Sequence, residues 1–216
     1  MSKVKIKFCG LFREKDIEYV NELNPDYIGF VFAKSKRQVS IKQAIKLKSK
    51  LNTNIKAVGV FVNEDSEKVL EIIDKNIIDI VQLHGNESEE YIKTIKERST
   101  KEVIKAIKVN CFEDIEVWKD SCADYLLLDN GQGTGKTFNW NNIKNLNRPF
   151  FLAGGLNLEN INEAILKVKP MAIDISSGIE TNGVKDFEKM KEVIKIVGRS
   201  VILWVKGDLE FTEDSI

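Results

Sequence analysis

Eight short runs rich in β-branched and aromatic residues recur along the chain, each followed by a segment whose apolar residues fall three and four apart. The runs are VKIKFC (Val4 to Cys9), YIGFVF (Tyr27 to Phe32), KAVGVF (Lys56 to Phe61), DIVQL (Asp79 to Leu83), VIKAI (Val103 to Ile107), DYLLLD (Asp124 to Asp129), PFFLA (Pro149 to Ala153) and MAIDI (Met171 to Ile175). Helices are expected over Glu14 to Leu23, Ile41 to Leu51, Asp65 to Lys75, Ser88 to Glu97, Phe112 to Lys119, Trp140 to Leu146, Leu158 to Val168 and Asp186 to Val197. In SIKQAIKLKSKL, for example, Ser40 is placed to cap a helix that has one apolar and one basic face. Several strands are apolar on both faces, as parallel strands covered by helices require. A doubly wound open sheet shows the same local pattern, but eight βα units favour an α/β fold of one domain, a (βα)8 TIM barrel with a parallel eight-stranded core. The barrel is expected over residues 1–198, with 199–216 as a C-terminal tail. In that tail SVILWV reads as strand-like and GDLEFTEDSI as acidic. Packing beneath the barrel, self-association and an incidental appendage all stay open for it.

Charge and composition narrow the function. The 33 basic and 33 acidic side chains cancel, which argues against a broad footprint for nucleic acid or an anionic membrane. No apolar run approaches the roughly 18 residues of a membrane span, and MSKVKIKFCG lacks the apolar core of a signal peptide, so a cytoplasmic protein is expected. Cys9, Cys111 and Cys122 form no CxxC pair, and with His84 as the one histidine there is no zinc-ligand spacing to read. Nothing near His84 resembles a nucleophile turn either.

In both candidate folds the chemistry belongs at the C-terminal ends of the strands. There the chain places Cys9-Gly10, AKSKR with Arg37, QLHG with His84, Asp129, Gly154-Gly155, and DISSG with Asp174, Ser176, Ser177 and Gly178. Each has a plain structural reading: a packed thiol, a solvated cation, turn glycines, capping serines. Arg37 also reads as a planar fork for a carboxylate. Gly154, Gly155, Ser176, Ser177 and Gly178 supply amides and hydroxyls where many barrels hold a phosphate.

The segment DNGQGTGKTFNW looks at first like a nucleotide-binding P-loop. A Walker loop needs glycine five positions before the Gly135-Lys136 pair, where this chain has Asn130. The next strand is also expected to begin at Pro149, which leaves little room for the long helix such a loop opens.

The motifs KFCGL, GFVFAKSKRQVS, VGVFVN, QLHGNE, GTGKTFNW, LAGGLNLENI and DISSGIE occur in the order and at the spacings of the phosphoribosylanthranilate isomerases, which the chain resembles from about Lys3 to Gly198. The resemblance implies an Amadori rearrangement of N-(5-phosphoribosyl)anthranilate in tryptophan biosynthesis, with no metal and no organic cofactor. By motif match it implies Cys9 as general base, Asp129 as general acid and Arg37 as the residue holding the anthranilate carboxylate. His84 and Asp174 are implied substrate contacts, and the strand seven and eight loops the phosphate site. An acid and a base working near neutrality imply a raised aspartic acid and a lowered thiol relative to ordinary values of about 3.9 and 8.5. Two positions depart from the family pattern: Gln132 stands for a glycine, and Asn139 stands for an aspartate and is expected to cap a helix. The expected partner is the phosphosugar-anthranilate substrate, the expected assembly a monomer or homodimer. Two rival readings stay on the page. One is a related barrel acting on a neighbouring indole-pathway intermediate, disfavoured because Cys9 and Asp129 replace a lysine-centred site. The other is a catalytically silent phosphosugar-binding module.

Overall fold

The computed structural model describes residues 3–130, 137, 139–143 and 146–210, with 200–210 described by backbone only. Eight parallel strands close into a barrel in chain order: β1 (Lys5–Cys9), β2 (Tyr27–Val31), β3 (Lys56–Phe61), β4 (Ile80–Leu83), β5 (Glu102–Lys108), β6 (Tyr125–Asp129), β7 (Phe150–Leu152) and β8 (Ala172–Ile175). Pairing of β1 with both β2 and β8 completes the ring, which rules out the open sheet. Helices α1 (Glu14–Leu23), α2 (Ile41–Lys48), α3 (Ser66–Asp74), α4 (Glu89–Arg98), α5 (Phe112–Glu116), α6 (Ile161–Val168) and α7 (Phe187–Glu210) follow strands one to five, seven and eight.

The two-residue alternation of the strands sorts side chains into two cores. Outward residues such as Phe8, Phe30, Val81 and Leu128 pack against helix residues such as Ile17, Leu47, Ile92 and Ile165. Inward residues Tyr27, Val58, Ile80, Ile104, Leu127, Phe151 and Ala172 fill the barrel. At its lower end Lys5 donates to the Tyr27 hydroxyl at 3.1 Å, and Tyr125 donates to Glu102 at 2.6 Å. With the lower interior plugged, the open space lies at the upper, C-terminal end.

Ser40 does cap α2, accepting from the Gln43 amide at 3.2 Å. Four expectations about helices need correction. α5 ends at Glu116 and is shorter than expected. The helix expected from Trp140 is a single 3-10 turn, Trp140–Asn142, although Asn139 caps it as foreseen by accepting from the Asn141 amide at 3.0 Å. α6 begins at Ile161 because Asn157 and Asn160 instead fold the preceding residues into a turn, with the Asn157 amide donating to Asn160 Oδ1 at 2.9 Å. Finally, SVILWV is not a strand: α7 runs through it to Glu210. No proline interrupts the helical period after Val197, and the weak β-preference of valine and isoleucine does not stop an established helix. Residues 211–216 and Gln132 lie outside the described residues.

A two-stranded hairpin, β9 (Glu180–Thr181) and β10 (Val184–Lys185), was not expected. Asn182 and Gly183 turn it with φ of 53° and 79°, the left-handed pair that a tight hairpin needs.

Candidate active site

A cavity of about 710 Å³ opens at the C-terminal end of the barrel. Its wall includes Cys9 from β1, His84 after β4, Asp129 from β6, Gly154 and Gly155 after β7, and Asp174, Ser176 and Ser177 from β8 and its loop. Eight of the ten residues singled out from sequence therefore share one wall. Gly178 stands behind it, where a side chain would collide with the Leu156 carbonyl, so its part is to let the β7 and β8 loops approach. Arg37 stands at the rim outside the wall, next to wall residue Ser35 on its own loop.

Three inward positions of β1 and β8 form a buried polar group. Lys7, wholly buried two residues below Cys9, donates to Asp174 Oδ2 at 2.8 Å. The two face each other in strand register. Burial disfavours the Lys7 ammonium, but Asp174 and Cys9 outweigh that and raise it above the ordinary lysine value. Asp174 Oδ1 is buried with no hydrogen-bond partner, at the wall of the cavity. An acceptor in that state costs free energy until a donor reaches it.

The Cys9 thiol is pushed up by burial; Lys7 pulls the other way without overcoming it, and Asp174 adds to the rise. The expected lowered thiol is thus not found, because the site that brings the ammonium close also removes water.

Across the cavity, Gln82 Nε2 lies 2.8 Å from His84 Nδ1, and His84 Nε2 lies 3.3 Å from Asp129 Oδ2. With the amide donating, Nδ1 accepts and Nε2 carries the proton that faces Asp129. Beneath this chain a buried pair braces the loop: Glu87 accepts from Lys105 Nζ at 2.9 Å and from the amides of Asn63 at 2.7 Å and Gly85 at 2.9 Å. On its other side Asp129 rests on Gly154, whose φ is 82° and where a Cβ would stand 2.8 Å from Asp129 Oδ1.

After β7, Gly154 and Gly155 both take positive φ, 82° and 65°. The Asn160 side-chain amide donates to the Gly155 carbonyl at 2.9 Å and fixes that turn. Ser176 donates to the Cys9 carbonyl at 3.0 Å, tying the β8 loop to β1.

Sequence reading passed over Lys7, Gln82, Glu180 and Lys185. The signal for the first two was polarity at inward positions, two residues before Cys9 and His84. Glu180 and Lys185 sit on the hairpin, and no local pattern tied them to the site. Lys34 and Lys108 also line the cavity.

The family model for N-(5'phosphoribosyl)anthranilate (PRA) isomerase matches residues 6–196. An N-(5'-phosphoribosyl)anthranilate isomerase of Thermoanaerobacter sp. is 50% identical over 201 residues, which span 90% of this chain and 98% of the relative. A crystal structure of phosphoribosylanthranilate isomerase in complex with reduced 1-(o-carboxyphenylamino)-1-deoxyribulose 5-phosphate is 38% identical, with a TM-score of 0.81 over 91% of this chain and 99% of that one. The same figures hold for monomers of the dimeric phosphoribosylanthranilate isomerase of Thermotoga maritima.

Proposed function

The chain belongs to the phosphoribosylanthranilate isomerase family, and from that premise we infer how its barrel residues divide the work of the reaction. The activity is the isomerisation of N-(5-phosphoribosyl)anthranilate, an aminoaldose, to the aminoketose 1-(2-carboxyphenylamino)-1-deoxyribulose 5-phosphate, a step of tryptophan biosynthesis. The observation that carries the residue roles is that Cys9 and Asp129, from strands three places apart in the ring, open on the same cavity.

Asp129 is the general acid. It protonates the furanose ring oxygen as the bond from that oxygen to C1 breaks, and the nitrogen lone pair forms the C1=N Schiff base. His84, within 3.3 Å of Asp129 Oδ2 and oriented by Gln82, steadies the carboxylate left behind. Cys9 is the general base: its thiolate takes the proton from C2, and the electron pair forms C1=C2 while the iminium nitrogen becomes neutral. The resulting enolamine gains a proton at C1 and loses one from the C2 hydroxyl, giving the ketone. Lys7, beside both Cys9 and Asp174, stabilises the thiolate when it forms.

Asp174 Oδ1 accepts from a sugar hydroxyl, which gives that buried oxygen its missing donor. Gly154, Gly155, Ser176 and Ser177 receive the phosphate, with Gly178 allowing their loops to meet. Arg37 holds the anthranilate carboxylate. Residues 1–198 are the catalytic barrel and 199–216 a C-terminal tail. The setting is the cytoplasm, in line with the finding that no helix among the described residues is long and apolar enough to cross a membrane. The assembly is a monomer or a homodimer, which light scattering decides.

The test of the roles is the loss of substrate fluorescence with phosphoribosylanthranilate generated in place, comparing native protein with Cys9→Ala and Asp129→Asn. Both variants are expected to lose about 10²- to 10⁴-fold in kcat. Native turnover in either variant removes the role assigned to that residue.

A further inference from the structure

Arg37 is already engaged on one side. Its Nε donates to Glu180 Oε1 at 2.6 Å and its Nη2 to Oε2 at 2.8 Å, so both oxygens of one carboxylate meet one edge of the guanidinium. A guanidinium carries five N–H donors in a fixed plane. This contact uses one from Nε and one from Nη2. The end formed by Nη1 and the second Nη2 hydrogen has the same fork geometry for another carboxylate.

Glu180 is itself immobilised. Its Oε1 also accepts from Lys185 Nζ at 2.7 Å, and its main-chain carbonyl accepts from Lys189 Nζ at 2.7 Å. Lys185 is 2% exposed, donates to the Ser176 carbonyl at 2.9 Å, and pairs with Glu180 in hairpin register. Burial pushes the Glu180 carboxyl up, but the hydrogen bonds from Arg37 and Lys185 outweigh it and hold the group below its ordinary value. Glu180 is therefore an anion held between Arg37 and Lys185, with burial pushing the Lys185 ammonium below its ordinary value. The end of Arg37 turned away from Glu180 keeps its Nη1 donors and second Nη2 hydrogen for a ligand. The stem of Arg37 is seated too: a Cβ on Gly10 would collide with Arg37 Cδ, and it would stand 3.2 Å from Ser176 Oγ, so Arg37 lies against Gly10 near the cavity-wall residue Ser176.

We propose that Glu180 is a specificity-determining positioning residue: through the Lys185-braced hairpin it grips Arg37 by one edge and so presents the other edge to the carboxylate of the substrate's aromatic amine. This rests on the reading of Arg37 as the carboxylate-holding residue. Glu180 makes no contact with reacting atoms, so its loss acts on recognition and spares the proton transfers. It also reaches Arg37 from 143 residues away in the chain, which lets the β8 loop set the specificity of the β2 loop.

The experiment titrates two probes: reduced 1-(o-carboxyphenylamino)-1-deoxyribulose 5-phosphate, and the same compound with an unsubstituted phenyl ring. They are bound to native protein, Arg37→Ala and Glu180→Gln, with KM and kcat measured alongside. Charge-assisted hydrogen bonds of the usual strength give the native protein a preference for the carboxylated probe of about 10- to 100-fold. Arg37→Ala is expected to abolish that preference. Glu180→Gln is expected to cut it about fivefold or more and to raise KM, with the phenyl probe and kcat changed by less than about threefold. If Arg37→Ala removes the preference and Glu180→Gln keeps it at the native level, the positioning role is overturned and the Arg37 reading stands. If Arg37→Ala keeps the preference, the carboxylate reading itself fails. Should Glu180→Gln not fold by circular dichroism, Glu180→Asp must show the same loss, since it keeps the charge and shortens the arm; a native preference there overturns the proposal.

Discussion

Replacing Gly154 by alanine should damage catalysis more than it damages the fold, and the structure supplies its own control. Gly154 and Gly183 share a left-handed φ, 82° and 79°, which costs alanine about 1–2 kcal/mol at each. At Gly183 a Cβ meets nothing within 4 Å. Gly183→Ala should therefore show the conformational cost alone. At roughly 2–4 °C per kcal/mol for a chain of this length, that is a fall in Tm of about 2–8 °C with kcat unchanged. At Gly154 the same Cβ stands 2.8 Å from Asp129 Oδ1 and 2.8 Å from the Asn130 amide nitrogen. Ordinary contact begins near 3.4 Å, so the carboxylate has to retreat by about 0.6 Å. Asp129 is then displaced from the ring oxygen that the proposed mechanism has it protonate, and its 3.3 Å approach to His84 is disturbed. A misplacement of about 1 Å costs on the order of 10²-fold, so kcat should fall about 10- to 100-fold at saturating substrate. The assay is substrate fluorescence for kcat and thermal circular dichroism for Tm, on both variants in parallel. If Gly154→Ala keeps the kcat of Gly183→Ala while both lose similar stability, the seat of Asp129 on Gly154 has no part in catalysis.

Three further outcomes follow from the same geometry. Lys105→Met leaves Glu87 buried without its cation, at a cost of about 3–5 kcal/mol, and should lower Tm by about 6–20 °C in a thermal melt; a fall of under 3 °C contradicts the bracing role. Because burial holds the Cys9 thiol above its unfolded value of about 8.5, the base is protonated at neutrality, and kcat/KM should climb with pH from 7 toward 9. A flat rate profile from about pH 7 to 9 refutes the assignment of Cys9 as base. Stability has the opposite sign: the contribution of the neutral folded thiol is complete below the unfolded value and is lost as pH rises through the higher folded one. Arg37→Ala should weaken substrate binding by about tenfold or more while inorganic phosphate binding changes little in a competition titration, and equal losses would count against a carboxylate role.

The barrel was legible because several strands carry apolar residues on both faces and the intervening segments show the helical period. The strand ends then pointed to the cavity, since closure of the barrel brings positions as distant as Cys9 and Asp174 to one wall. What escaped was polar chemistry hidden inside that pattern. Lys7 and Gln82 sit between apolar neighbours, and only strand register shows that they support Cys9 and His84. The hairpin escaped because strands of two residues are too short to alternate, although Asn182-Gly183 is a hairpin dipeptide. SVILWV has a local β-preference, but the helix that runs into it from Phe187 carries it on to Glu210. The grip of Glu180 on Arg37 and the rest of Asp129 on Gly154 join distant residues, and no local spacing encodes them.

The central claim is that Cys9 removes the C2 proton of a ring that Asp129 has opened. Its most direct test is the release of deuterium to water from substrate labelled at C2, followed in single turnovers of native protein, Cys9→Ala and Asp129→Asn. The account predicts that release falls at least about 10²-fold in both variants, in the first for want of the base and in the second because the ring stays closed. Release from Cys9→Ala at the native rate would contradict it.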